Sequence, residues 1–200
     1  ISMNPILHSF QWVVNKYNID HELIDSFLYS MEMDLSKTVY SQQDYKTYIY
    51  GSAEVVGLMC LKVFTEGDTE KYKALKPSAM KLGEAFQKIN FLRDIQDDYT
   101  DKNRSYFPKI NPATFSDENK KLVETEITED FAKAFEGIKK LNKDSRLGVY
   151  LAYSYYKKLF KKIRKTHAKN ILERRHRISN AHKIALLLGG YIKHKVNMIN

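Results

Sequence analysis

The chain has 200 residues, 43% of them hydrophobic and 28% charged, which suits one globular domain large enough to bury a core. No stretch approaches 18 uncharged apolar residues, so a membrane-spanning helix is excluded, and the lone Cys60 excludes a disulfide within the chain. The formal charge of +9 is uneven: residues 151–200 carry nine Lys and four Arg against the single acid Glu173. Solvated helix faces, an anionic membrane surface, a phosphorylated substrate and nucleic acid are all compatible with that bias. No helix-turn-helix or base-reading pattern accompanies it, so no nucleic-acid partner is expected. One cysteine and no signal-peptide pattern make a cytoplasmic location the expectation, with peripheral contact to anionic membrane as its extension.

In chain order the pattern is helical. Pro5 opens a first helix with Ile6, Phe10, Val13, Val14 and Tyr17 at helical spacing. A second follows Asp20, a candidate N-cap, through Leu23, Phe27 and Met31, and Asp34-Leu35-Ser36 is read as its break. A third is predicted from about Gln42 to Phe64, ending near Gly67-Asp68. A fourth is predicted over Thr69 to Asp98, kinked or divided at Pro77, and residues 101–115, with Pro108 and Pro112, form a loop. Helices near 116–141, 144–168 and 180–196 follow, the last capped by Ser179 or Asn180. The expected fold class is all-α, a single domain over residues 1–200.

Gln87, Asn90, Asp94 and Asp98 stand at i, i+3, i+7 and i+11, so on a helix their side chains fall within about 80° of one another. Much of the remaining circumference is apolar (Ala85, Phe86, Ile89, Phe91, Leu92, Ile95), interrupted by Lys88 and Gln96. Two carboxylates one turn apart weaken a helix by about 0.2–0.5 kcal/mol, a penalty that a divalent cation reverses. Mg²⁺ is commonly held by one or two carboxylates together with substrate phosphates, and Arg93 beside the stripe suits phosphate. Asp97 and Asp101 repeat the spacing one step away, so the pattern alone leaves the register open.

Three separated segments carry a resemblance. Gly83-x-Ala85-Phe86-Gln87-Lys88-Ile89-Asn90-Phe91-Leu92-Arg93-Asp94-x-x-x-Asp98, followed by Arg104-x-Tyr106-Phe107-Pro108, is similar to the second aspartate-rich motif of the squalene/phytoene synthase family. Tyr48-Ile49-Tyr50-Gly51-Ser52-Ala53-Glu54-Val55-Val56-Gly57 resembles its tyrosine-to-glycine helix in the variant typical of phytoene synthases, and Met31-x-Met33-Asp34-Leu35 the segment before it. Tyr156-x-x-Leu159-x-x-x-Ile163 and Arg177-Ile178 fit its later signatures.

The resemblance implies a helical isoprenoid-synthase fold and head-to-head condensation of two prenyl diphosphates through a cyclopropyl diphosphate intermediate. For a phytoene synthase both substrates are geranylgeranyl diphosphate. It fixes the register on Asp94 and Asp98 as catalytic ligands of Mg²⁺, with Mn²⁺ as the alternative ion. Gln87, Asn90, Arg93 and Arg177 would assist at the diphosphate, and Tyr48 and Tyr156 would line the cavity near the reacting carbons. Small residues at Gly51, Ser52, Ala53 and Gly57, with Val56, would leave room for a prenyl tail, although close helix packing explains small residues equally well.

The family pairs two aspartate-rich motifs, and no acidic pair of the first kind occurs before residue 40: Asp20 and Asp25 are five apart, Glu32 and Asp34 two apart. The chain is therefore expected to begin after the first motif and to be impaired alone, with apolar surface left uncovered. Its alternatives are a noncatalytic homologue acting as an assembly or scaffold protein and a squalene or dehydrosqualene synthase using farnesyl diphosphate. Phytoene is preferred because the Gly51–Gly57 segment is of that variant and no NADPH-binding fingerprint appears. Oligomeric state is not legible in the sequence.

Overall fold

The structure is a computed structural model that describes residues 2–102, 104–108, 114–173, 175–196 and 198–199. Among these residues the elements are α1 (Pro5–Tyr17), α2 (His21–Ser36), α3 (Gln42–Ile49), a π-helical turn (Tyr50–Glu54), α4 (Val55–Phe64), α5 (Thr69–Lys102), α6 (Asp117–Lys140), α7 (Lys143–Arg164), α8 (Ala168–Ile171) and α9 (Asn180–Lys195). The extended backbone forms no strand among the described residues, only one parallel bridge between Val39 and Ser105. No helix among them is long and apolar enough to cross a membrane.

Local chemistry sets the helix ends. Asn4 caps α1 by accepting from the Ile6 and Leu7 amides, Pro5 fills the first turn, and Asn18 closes the helix in the left-handed region. Ser41 and Asp44 form a reciprocal capping box on α3, and Ser116 and Ser179 cap α6 and α9. Asp20 occupies the cap position of α2 but makes no cap hydrogen bond; its carboxylate lies 3.1 Å from Lys62 of α4 instead.

Three boundaries differ from the sequence expectation. α2 runs through Asp34-Leu35-Ser36 and ends only after Ser36, because the Lys37 amide still bonds to the Met33 carbonyl. The predicted Gln42–Phe64 helix is interrupted by the π-helical turn, which presses Gly51 against α2. α5 is neither divided nor ended at Pro77 and continues four residues past Asp98. A mid-helix proline costs about 3 kcal/mol; burial on both sides of it, from Leu75 to Ala85, Ile89 and Leu92, outweighs that. The predicted loop is described only in part, and Pro112 lies outside the described residues.

α5 runs through the core. Ala85, Ile89 and Leu92 are fully buried among side chains of α3, α6 and α7, including Ile127, Phe131, Leu159 and Ile163. Lys88, which reads in the sequence as an interruption, is 3% exposed. Its ammonium meets Glu84 at 2.7 Å, Asp130 at 2.8 Å and Glu126 at 2.9 Å, which ties α5 to α6. Burial alone would lower its pKa, but the hydrogen bonds to Asp130, Glu84 and Glu126 overcome that and push it up. Beside this cluster, burial and then the charge of Glu84 raise Glu54 to about 7.

Two of the close approaches that require glycine hold the π-helical turn in place. A Cβ on Gly51 would lie 2.3 Å from the Ser26 carbonyl of α2, and one on Gly83 would lie 2.5 Å from the Ala53 carbonyl of the π-helical turn. α1 and α9 leave apolar side chains exposed, among them Ile6, Trp12, Ile184 and Leu188.

Gly51→Ala forces α2 away from the π-helical turn and should destabilise the fold by about 1–3 kcal/mol in urea unfolding. Unfolding followed against pH gives a second check. Glu54 holds its proton more tightly folded than unfolded, so stability should fall as pH rises from about 4.5 to about 7. Glu54→Gln should flatten that part of the profile.

Candidate active site

On α5, the side chains of Asn90, Asp94 and Asp98 stand one turn apart on one face, and Gln87 begins the row. Asp98 is buried at 7% exposure and Asp94 is partly buried. The Asp94 carboxylate is held by two arginines. Arg93 donates from Nε at 2.9 Å and from Nη2 at 2.5 Å, while Arg175, in the segment between α8 and α9, donates from Nε at 2.7 Å and Nη2 at 3.2 Å. Asp94 in turn holds the Arg93 guanidinium above its ordinary pKa. Tyr156 of α7 donates to Asn90 Oδ1 at 3.3 Å, and its ring stacks on Phe86 at 3.9 Å between centroids.

Gln87 and Phe86 also border an apolar cavity of about 570 Å³, within the usual range of about 300–1,000 Å³ for small-molecule pockets. Ser52, Ala53, Val56 and Gly57 line its other side. Gly51 does not; it faces α2, so its small size serves helix packing and the tail-room reading fails there. The polar stripe and the cavity therefore meet at Gln87 and Phe86.

Tyr48 belongs to a different constellation. Its hydroxyl donates to Asp34 Oδ2 at 2.9 Å, and Tyr106 and Tyr40 donate to Asp34 Oδ1 at 3.1 and 3.2 Å. Arg104 completes the nest, with Nη1 3.2 Å from the same carboxylate oxygen and 2.9 Å from the Tyr106 hydroxyl. Its Nη2 donates to the Asp34 carbonyl at 2.6 Å. The Tyr48, Tyr106 and Phe91 rings pack together, Phe91 and Tyr106 stacked at 4.3 Å. Burial, with the hydrogen bond to Tyr106 and the charge of Asp34, pushes the Tyr48 pKa well above the tyrosine range, so Tyr48 is a donor and not a base at neutral pH.

Arg177 neither bonds to Asp94 nor joins the stripe. It lines a basic cleft along α7, and its backbone carbonyl accepts from Lys162 at 2.9 Å. Arg175, two residues earlier, is the arginine that reaches Asp94, and spacing alone does not separate the two. Asp34, Arg104 and Tyr106 occur in the segments that carry the family resemblance, but their meeting is visible only in three dimensions. The bridge from Val39 to Ser105 and the bond from the Ser105 amide to the Thr38 carbonyl, 2.9 Å, bring them together.

The donor set suits a hard divalent cation in part. Among the described residues no group of three His, Cys, Asp or Glu side chains is arranged to hold a metal. Asp94 and Asp98 supply the one or two carboxylates that Mg²⁺ needs when substrate phosphates complete its shell. The side chain of Asp101, half of the alternative register, lies outside the described residues. A cation on Asp94 must displace Arg93 or Arg175, and the released guanidinium then suits a phosphate oxygen.

A profile of squalene/phytoene synthases matches residues 1–182. The chain belongs to the squalene/phytoene synthase family. Members of this family are head-to-head prenyltransferases. The chain is 29% identical to a chloroplastic phytoene synthase of an Oncidium hybrid cultivar, over 86% of this chain and 45% of that protein. It is 25% identical to the chloroplastic phytoene synthase 3 of Zea mays, over 90% of this chain and 46% of that protein. It thus spans somewhat under half the length of these relatives. Its fold matches a dehydrosqualene synthase solved with a ligand (TM-score 0.78, 22% identity, 98% of this chain and 73% of that one). It also matches a squalene synthase from Alicyclobacillus acidocaldarius (TM-score 0.70, 18% identity, 82% and 66%). The all-α synthase fold expected from the sequence is the one present.

Asp34→Asn removes the charge that Arg104 and three tyrosines share. It should cost about 2–4 kcal/mol of stability, measured by chemical denaturation. Tyr48→Phe, which leaves that charge paired with Arg104, should cost about 1 kcal/mol.

Proposed function

We propose that this chain forms one wall of a head-to-head prenyltransferase site. The observation that carries the reading is the junction at Gln87 and Phe86, where a row of amide and carboxylate oxygens on α5 adjoins an apolar cavity. A prenyl diphosphate has the same division, a charged head on a hydrocarbon tail. Asp94 and Asp98 would hold Mg²⁺, or Mn²⁺ in its place, which neutralises charge developing on the leaving diphosphate. Asn90 and Gln87 orient oxygens at the head, Tyr156 fixes the Asn90 amide, and Arg93 and Arg175 bind the diphosphate once they leave Asp94. Arg177 adds positive charge from the cleft beside them. Ala53, Val56 and Gly57 border the tail. Tyr48 acts as a hydrogen-bond donor set by Asp34, on the side of α5 where Phe91 packs.

Two geranylgeranyl diphosphates giving phytoene is the specific reaction we favour. The phytoene synthases among the relatives and the Tyr48–Gly57 sequence variant support it over the farnesyl-based reactions. Isothermal titration with a non-hydrolysable geranylgeranyl thiodiphosphate tests the site. Binding should require Mg²⁺ and weaken at least about tenfold in Asp94→Ala, a loss of about 1.4 kcal/mol. Equal binding without Mg²⁺ and in Asp94→Ala would exclude the reading and favour a noncatalytic assembly protein. Incubation of the protein with geranylgeranyl or farnesyl diphosphate, with and without NADPH, separates the chemistries: phytoene from the C20 substrate alone is the expected product.

A further inference from the structure

We propose that the basic cleft between α7 and the segment leading into α9 binds inorganic pyrophosphate without a metal, through lysines of its own beside the α5 stripe. Lys158, Lys161 and Lys162 of α7 and Lys165 at its C-cap recur at i, i+3, i+4 and i+7 and so share one face. Arg175 and Arg177 face them across a depression of about 1110 Å³. α9 begins at its edge. Ser179 caps that helix, Lys183 lies in its opening turns, and its first turn carries no acidic residue to offset the positive end of the helix dipole.

The density of positive charge marks this cleft. Some lysines elsewhere meet carboxylates, as in Lys37 with Asp44 and Lys139 with Glu136. Among the described residues no carboxylate lines the cleft, and Lys158, Lys161, Lys162 and Lys165 form no ion pair. Lys162 donates a hydrogen bond to the Arg177 carbonyl, which ties the cleft's two sides together and leaves its charge uncompensated. Cations gathered around one concavity raise its potential and concentrate small multivalent anions there.

Position selects the anion. Arg93 and Arg175 line this cleft and also hold Asp94, so they join it to the α5 stripe. An anion released at Asp94 meets these two guanidinium groups at the edge of the cleft. The reaction proposed above releases pyrophosphate. The source of the ligand rests on that reading, whereas the charge of the cleft does not. The cleft is much larger than one pyrophosphate, which leaves the anion partly hydrated and its release fast.

Isothermal titration with inorganic pyrophosphate in EDTA tests the proposal. The exposed pair Lys158→Ala/Lys161→Ala should weaken binding about tenfold, with circular dichroism and thermal unfolding confirming the fold. Lys133→Ala/Lys140→Ala on α6 removes the same charge outside the cleft and should stay within about twofold of wild type. Asp94→Asn should keep or strengthen metal-free binding, since it releases both arginines.

Equal weakening by the two lysine pairs would reduce the effect to overall charge and overturn the proposal. Wild-type binding by the Lys158/Lys161 pair would overturn it as well, as would binding seen only with Mg²⁺ and lost in Asp94→Asn. Phosphatidylglycerol vesicles provide a further arm. Sedimentation with vesicles that depends on Lys158 and Lys161, without any heat from pyrophosphate, would assign the cleft to a lipid headgroup and overturn it too. Loss of Mg²⁺-dependent prenyl analogue binding with metal-free pyrophosphate binding intact would refute the stripe and leave the cleft standing.

Discussion

The rotational setting of α5 fixes everything else in this protein. One 34-residue cylinder carries a fully apolar side (Ala85, Ile89, Leu92), a buried ammonium (Lys88) and an oxygen-bearing row (Asn90, Asp94, Asp98). Adjacent residues differ by about 100°, so a turn of one residue would carry the carboxylates into the core and the leucine into the stripe. Two contacts prevent it. Gly83 admits the Ala53 carbonyl where no other residue fits, and Lys88 meets Glu84, Glu126 and Asp130. The buried pairing is a poor source of net stability but a strong penalty on any other setting, because a mispaired charge in the core costs several kcal/mol.

Two carboxylate centres flank this helix and differ in kind. Among the described residues Asp94 is paired with two arginines, whose guanidinium groups suit a phosphate as well as a carboxylate. Asp34 is fixed by Arg104 and by three hydroxyls on rings that pack edge to face and face to face. The first is built to change partners and the second to hold Tyr48 in one orientation. The apolar cavity lies beside the first.

Much of this was legible in the sequence because helices announce themselves through spacing. The stripe from Gln87 to Asp98, the cap at Ser179 and the helical class all follow from local pattern. The π-helical turn does not, since the run from Tyr48 to Phe64 is almost all apolar or small, with Glu54 and Lys62 as exceptions, and one wide turn leaves no mark in it. Lys88 reads as a flaw in an apolar face because its partners Glu126 and Asp130 lie about forty residues away on α6. Pro77 reads as a break because propensity is local, while the burial that overrides it comes from other helices. Arg175 and Arg177 are equivalent on spacing, and only the extended backbone between α8 and α9 turns one toward Asp94 and the other along the cleft. Gly51 shows the reverse failure: its small size was visible, but the neighbour that requires it, the Ser26 carbonyl, was not.

The short bridge at Val39 and Ser105 sets the order in which the molecule can assemble. It joins segments so distant that Arg104 and Asp34 are 70 residues apart, so closing that loop gains little until α3 to α5 have folded between them. The strap after α5 is therefore a late contact, held by a few hydrogen bonds and the aromatic rings beneath it. Arg104 and Tyr106 stand two residues apart on this strap, and both hold Asp34. The orientation of the Tyr48 hydroxyl is then governed by the closure of a loop far from it in sequence, which makes it a property of the whole span from Asp34 to Tyr106.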